Sequence, residues 1–62
     1  MQRLGTICVG GARFTVRVVE PGVVRDALVS APQVLVRDRG NTSENLAAAR
    51  RAAAVWLAAR AT

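Results

Sequence analysis

The beginning of the chain alternates apolar and polar residues in two runs separated by a pair of glycines. The runs are Leu4–Val9 and Ala12–Val19, and such alternation is typical of strands that bury one face. Gly10–Gly11 tolerates the positive φ angles of a two-residue hairpin turn, and that turn sets the register of the strands. We therefore predict an antiparallel hairpin in which Ile7 faces Phe14.

This register sorts the hairpin side chains onto two faces. One face is expected to carry Gly5, Ile7, Val9, Ala12, Phe14, Val16 and Val18. The opposite face is expected to carry Leu4, Thr6, Cys8, Arg13, Thr15 and Arg17. A slip of one residue would turn the arginines inward, so the hydrophobic pattern and the turn favour the same pairing.

The middle of the chain does not clearly predict either a helix or a strand. Glu20–Gly22 ends the second strand, because proline has no N–H to donate and glycine suits a turn. The apolar residues of Val23–Ala31 fit one side of a helix, whereas its valines favour a strand. We expect one or two helical turns or an irregular crossover there, with a strand as the alternative. Pro32 ends this segment, and Gln33–Arg39 is predicted to be a third strand.

The last part of the chain predicts a helix. Three residues that favour N-caps precede an acid in Asn41–Glu44, and Asn41 and Glu44 have the spacing of a capping box. From Glu44 to about Arg60 the chain is rich in alanine, the best helix former. The apolar stripe predicted to cover the sheet consists of Leu46, Ala49, Ala53, Trp56 and Leu57. Phe14 and Trp56, the two aromatic residues, are expected at the centre of the core.

These elements predict a single small α+β domain spanning residues 1–62. Its order is β-β-(short α or crossover)-β-α, with a two-layer arrangement of an antiparallel three-stranded sheet and a C-terminal helix. A chain of 62 residues buries only ~60% of its unfolded surface. We therefore expect no second domain and no deep substrate pocket within these residues.

The residue types exclude most enzyme chemistry. The chain has no histidine, no tyrosine and one cysteine, which excludes histidine acid–base catalysis, a Cys/His zinc site and an internal disulfide. The acidic residues are too scattered to predict a paired-carboxylate site: Glu20, Asp26, Asp38 and Glu44. We therefore predict a protein that is not an enzyme and binds no cofactor or metal.

Composition also bears on location. Hydrophobic residues are 52% and charged residues 21%, which is too apolar for a disordered chain. No apolar run approaches the ~18 residues of a membrane span, and Met1–Gly5 lacks the apolar core of a signal peptide. We expect a protein of the bacterial cytoplasm with no membrane partner.

Nine basic residues, all of them arginine, against four acidic residues give a net charge of +5. Such an excess favours nucleic acid or the acidic face of another protein as partner. The candidate partner-binding residues are Arg13, Arg17, Arg37, Arg39, Arg50 and Arg51. The alternatives are an ordinary solvated sheet face, a solubilising pair on the helix, and the codon bias of a GC-rich genome. No aromatic residue is expected among the sheet arginines, which disfavours single-strand binding by base stacking.

A second candidate surface lies on the back of the helix. Small apolar residues are expected to face away from the core there: Ala48, Ala52, Val55 and Ala59. A helix that is apolar nearly all round usually buries both sides, so a homodimer or a target protein is predicted to cover this face. The alternative is that alanine serves only as a neutral helix former on a surface.

The segment Gly40–Leu46, continuing through the helix to Leu57, resembles the C-terminal half of HicB-type antitoxin domains. In that family a Gly-Asp-Thr-like turn opens an Ala- and Leu-rich helix packed on a three-stranded sheet, and the proteins neutralise a small ribonuclease toxin. Asn41 stands where that family usually has an acid. The order of strands and helix is also similar to the second half of a double-stranded-RNA-binding domain. In size and class the chain is similar to small phage anti-CRISPR proteins.

These observations together predict a small binding protein of a bacterium or phage. It is expected to occlude a nuclease or another nucleic-acid-handling partner, a larger protein or ribonucleoprotein, as an antitoxin-like or anti-CRISPR inhibitor. The alternative is a double-stranded DNA- or RNA-binding module that uses the arginine-bearing sheet face.

Overall fold

A computed structural model describes residues 2–61, which form a four-stranded sheet covered on one face by a C-terminal helix. The elements are β1 (Gln2–Val9), β2 (Ala12–Val19), β3 (Ala27–Ser30), β4 (Gln33–Arg37) and α1 (Thr42–Ala61). The strands lie in the order β1-β2-β4-β3. The predicted α+β class, with a helix packed on a sheet, is confirmed.

The N-terminal hairpin has the predicted turn and register. Ile7 pairs with Phe14 and Val9 pairs with Ala12 across the antiparallel strands. Gly10 and Gly11 have φ angles of 55° and 80°, the left-handed conformation that a tight hairpin turn requires of its two central residues.

A β-bulge near the start of β1 changes the face on which one residue lies. Arg3 pairs with Arg17 and Gly5 pairs with Val16, so Leu4 is an extra residue between two paired positions. Leu4 is half-buried and packs against the core. Its predicted place on the polar face was wrong, because the bulge adds one residue and reverses the alternation beyond it.

The three-stranded antiparallel sheet was also a wrong prediction. Part of Val23–Ala31 forms a strand, β3, instead of the expected helical turn or crossover, and β3 pairs antiparallel with β4. Strand β4 in turn runs parallel to β2, so the sheet is mixed. Pairing with β4 satisfies the backbone of this short segment and places Ala27 and Val29 against the core, a gain that an isolated helical turn lacks.

The predicted third strand corresponds to β4 but ends at Arg37. Asp38 and Arg39 belong to the connection that leads into α1. The N–H of Asp38 still donates to the carbonyl of Val19 at 2.9 Å, so the chain leaves the sheet directly beside the end of β2.

The core lies between α1 and the inner face of the sheet. Its buried residues are Ile7, Phe14, Val16, Val34, Val36, Ala48, Ala49 and Ala53. The rings of Phe14 and Trp56 meet edge to face with centroids 6.0 Å apart, as expected for the two aromatic residues. The predicted helical stripe is confirmed, since Leu46, Trp56 and Leu57 also pack on this cluster.

The back of the helix is narrower than predicted. Ala48 is 3% exposed and Ala52 is half-buried against the core, so neither lies on the back. Small side chains let the helix approach the sheet closely enough to bury a wider strip than the large residues indicate. Val55 remains exposed at 70%.

No helix within residues 2–61 has the length and apolar character needed to cross a membrane.

A hydrogen-bonded cap joins the end of the sheet to the start of α1. The Oδ1 of Asn41 accepts from the N–H of Glu44 at 3.1 Å, which confirms the predicted helix start. Buried Asn45 bridges the connection: its Oδ1 accepts from the N–H of Arg39 at 2.9 Å and its Nδ2 donates to Asp38 at 3.2 Å. The Asp38 carboxylate also accepts from the N–H of Gly40 at 2.7 Å.

These hydrogen bonds predict a contribution of Asp38 to stability that depends on pH. The Gly40 N–H and the Asn45 side chain lower the pKa of Asp38 below its ordinary value of 3.8. A carboxyl whose pKa is lowered by folding stabilises the protein fully above its unfolded-state pKa and loses that contribution as pH falls through the folded-state value. We expect wild type to lose more stability than Asp38→Asn between pH 7 and pH 3, measured by urea unfolding. Equal losses would contradict the cap.

Candidate nucleic-acid interface

The face of the sheet turned away from α1, here called the outer face, carries most of the polar strand residues. The strand register aligns them in rows that cross the sheet. One row holds Thr6, Thr15, Gln33 and Ser30. The next row towards the start of β1 holds Arg3, Arg17, Leu35 and Leu28. On the opposite side of the Thr6 row, nearer the hairpin turn, Cys8 pairs with Arg13. Arg37 lies beside Val19 at the far end of β4.

Four arginines therefore share the outer face: Arg3, Arg13, Arg17 and Arg37. None of their guanidinium groups has a salt bridge or hydrogen bond within residues 2–61. The four acidic residues of the chain all lie outside the strands. The charged strand residues of the outer face are thus all positive. Their guanidinium N–H groups donate to no acidic side chain of the described chain.

The pairing of Arg3 with Arg17 is itself unfavourable for folding. Like charges placed directly opposite each other on antiparallel strands repel, and the strand register gives these two residues that relation. An anion bound between them would relieve the repulsion and receive planar, bidentate hydrogen bonds from the guanidinium forks. The geometry therefore suits phosphate or carboxylate groups.

The hairpin projects beyond the rest of the sheet. Strand β4 begins at Gln33, which pairs with Thr15, and the N–H of Thr15 donates to the carbonyl of Pro32 at 2.8 Å. From Ala12 to Phe14, β2 has only β1 as a neighbour among the described residues. The sheet is consequently two strands wide at the end that carries Arg13 and four strands wide at its centre.

The remaining predicted binding residues lie elsewhere. Arg39 forms an ion pair with Asp26 and donates to the carbonyl of Arg37 at 2.9 Å, so its guanidinium is engaged within the chain. Arg50 and Arg51 are exposed on α1, which covers the opposite face of the sheet. The structure brings Arg13, Arg17 and Arg37 onto one surface, pairs Arg39 with Asp26, and places Arg50 and Arg51 on the opposite side of the sheet.

Arg3 was missed as a candidate by the sequence argument. Simple alternation from Thr6 places Arg3 on the inner face, and only the bulge at Leu4 returns it to the outer face opposite Arg17. A run of polar residues at Gln2 and Arg3 was the one available signal, since two adjacent polar positions are unexpected in a strand that buries one face.

A shallow apolar groove of about 530 Å³ lies between α1 and the edge strand β3. Its lining includes Leu28, Val29, Val55 and Trp56. The guanidinium carbon of Arg60 lies 4.6 Å from the centroid of the Trp56 ring. This is a cation–π contact, in which the guanidinium group covers part of the exposed indole.

No three His, Cys, Asp or Glu residues in the described part of the chain come together as a metal site would require.

Comparison with known proteins adds no family to this description. No protein-family model, curated protein or solved structure matches the chain.

Proposed function

We propose that the protein is a non-enzymatic binding protein whose outer face holds a nucleic-acid duplex through its phosphates. The observation that carries the proposal is the set of four outer-face arginines whose guanidinium groups form no salt bridge within residues 2–61. Arginine forks contact phosphate oxygens, and the counterions released from the duplex drive the binding.

The spacing of the arginines suits an extended polyanion. Arg13 and Arg17 are four residues apart on β2, which corresponds to ~13 Å along a strand. Arg3 lies on the neighbouring strand opposite Arg17, and Arg37 lies on the other side of β2. Charges spread over this distance match a line of phosphates better than a single small anion.

A duplex is favoured over a single strand by what the outer face lacks. Proteins that hold single strands commonly stack bases on aromatic side chains. Phe14 is buried on the inner face and Trp56 lies on α1 in contact with it, so neither aromatic ring is presented beside the arginines. The outer face therefore offers phosphate contacts and hydrogen bonds but no stacking platform.

A second candidate function is supported by an apolar margin at one side of the same face. Leu28 is 53% exposed and shares a row with Leu35 and Arg17. Arginine beside exposed apolar side chains is a composition found in protein interfaces. On this reading the face covers an acidic surface of a nuclease or another nucleic-acid-handling protein, as an antitoxin-like or anti-CRISPR inhibitor does.

Titration of a duplex with the purified protein at several salt concentrations tests the first proposal. Four phosphate contacts give a slope of about −3.6 in log K against log salt, so affinity should fall on the order of a hundredfold between 50 and 200 mM salt. Fluorescence anisotropy with a labelled duplex of mixed sequence gives this slope directly.

A folded protein that leaves the duplex free even at the lowest salt would overturn duplex binding. The protein-partner candidate would then be tested by affinity purification from the native host, with and without nuclease treatment. A partner that stays bound after nuclease treatment supports that second candidate, because a duplex bridging the two proteins would have been destroyed.

A further inference from the structure

We infer that the duplex is B-form DNA and that the projecting end of the hairpin enters its major groove, where Arg13 reads a guanine. This inference rests on the proposed function and adds to it the form of the nucleic acid, the groove and a residue that determines specificity.

The width of the sheet determines which part of it can enter the major groove. Neighbouring strands lie about 4.8 Å apart, so the outermost strands of a four-stranded sheet are separated by ~14 Å before side chains are counted. The major groove of B-DNA is about 12 Å wide and admits a two-stranded ribbon. The centre of this sheet is too wide to enter, whereas the two-stranded end between Ile7 and Phe14 fits.

The position of α1 permits that entry. The helix packs on the inner face, and at the hairpin turn the space beside Gly10 is filled by Leu57, whose Cδ1 lies 3.5 Å from where a Cβ would stand. The outer face of the hairpin end carries no covering element in the described chain. The ribbon can therefore approach a groove with its outer face first while the helix stays behind it.

Arg13 is the side chain best placed to reach a base edge. It is exposed, points from the outer face of the two-stranded end and pairs across the ribbon with the smaller Cys8. Its guanidinium has no partner within residues 2–61. A bidentate contact from arginine to the O6 and N7 of guanine is the commonest specific contact in the major groove.

The side chains near Arg13 on the outer face are expected to make the other contacts to the duplex. Thr6 and Thr15, in the next row, have hydroxyl groups that no hydrogen bond of the described residues engages. That row also holds Gln33 and Ser30 and is four strands wide, so the two hydroxyls are expected to stay at the edge of the groove and to contact phosphate. Arg37 belongs to the wider part of the sheet, which stays at the margin of the groove. It is therefore expected to contact phosphate and to carry no sequence information.

The same geometry selects against RNA. The major groove of A-form RNA is deep and narrow, and protein side chains do not read it. A duplex RNA of matching sequence would still attract the arginines through its phosphates, but the hairpin end would find no groove to enter. We expect it to bind at least tenfold more weakly than the selected DNA.

The test is a selection from a pool of randomised DNA duplexes, performed with wild type and with three single variants of equal charge change. Wild type should enrich sequences that share a G·C pair at one position. Arg13→Ala should lose about tenfold of discrimination at that position. Arg37→Ala should retain the same preferred sequence, bind all sequences more weakly and show a salt slope less negative by about one. Arg50→Ala, on the helix, controls for net charge.

The outcomes separate this inference from the proposed function. A pool that binds at low salt but yields no preferred sequence overturns the inference and leaves duplex binding standing. Identical preferences for wild type and Arg13→Ala, or an RNA duplex bound as tightly as the selected DNA, also overturn it. A pool that does not bind at all overturns the proposed function itself. Circular dichroism and thermal unfolding of each variant confirm that the substituted proteins remain folded.

Discussion

Replacing Phe14 with alanine should remove a large share of the stability of the domain, up to all of it. Phe14 is 2% exposed and its ring contacts Trp56 across the core. Removing a buried phenylalanine side chain costs about 3–5 kcal/mol. At roughly 0.05–0.15 kcal/mol per residue, a domain of this length has a total free energy of unfolding of only about 3–9 kcal/mol. Urea unfolding followed by far-UV circular dichroism measures the loss.

Two substitutions on α1 provide comparisons for the Phe14→Ala result. Trp56→Ala should cost less than Phe14→Ala, because the indole is only half-buried. Val55→Ala should change the free energy of unfolding by less than about 0.5 kcal/mol, because Val55 is 70% exposed. If Phe14→Ala proved as stable as Val55→Ala, the packing of α1 on the inner face would be contradicted.

Reversing two charges on the outer face should nearly abolish duplex binding. Replacing Arg13 and Arg17 with glutamate removes two arginine contacts to the duplex and places two carboxylates against it. We expect a loss of a hundredfold or more at physiological salt, since the counterion release at these positions is lost and the attraction to the polyanion becomes repulsion. Anisotropy with the same labelled duplex measures the change.

The matched control reverses the helix arginines Arg50 and Arg51. Each pair of substitutions lowers the formal net charge from +5 to +1, so the two variants differ only in where the charges lie. Interactions beyond about 8 Å are largely screened at physiological ionic strength, and the helix variant should lose far less affinity. Equal losses would show that binding follows net charge and would remove the outer face from the proposal.

The exposed apolar groove beside β3 adds nothing to either binding proposal. Its lining residues Leu28 and Val55 are accessible, but Leu28 points from the outer face and belongs to the margin discussed for a protein partner. The predicted homodimer through the back of the helix stays a prediction, which light scattering of the purified protein at micromolar concentration checks.

Several parts of this protein follow from local sequence alone. The hairpin register follows from Gly10–Gly11 and the alternation around it, because a two-residue turn and a one-sided core leave one pairing. The start of α1 follows from Asn41, whose side chain satisfies a helix N–H that has no other partner. The contact of Phe14 with Trp56 follows from the apolar side of the hairpin and from the stripe of large apolar residues on the helix, because each contains an aromatic side chain to bury.

Other features depend on residues far apart in the chain. Leu4 leaves the outer face because the bulge lets it reach the core, and alternation cannot reveal a bulge. Ala27–Ser30 is a strand because β4 offers it a hydrogen-bonding edge, although its own residues suit a helix nearly as well. Arg39 is withdrawn from the binding surface because the fold brings Asp26 beside it.

The outer face depends both on local sequence and on tertiary structure. Alternation along β2 places Arg13 and Arg17 on the polar side of a strand, and that much needs only the sequence of one element. The parallel pairing of β4 with β2 adds Arg37 to them, and the bulge adds Arg3. Local propensities act over a few residues, whereas strand neighbours are chosen by which apolar surfaces bury each other, so only the tertiary structure decided that these four charges share one face.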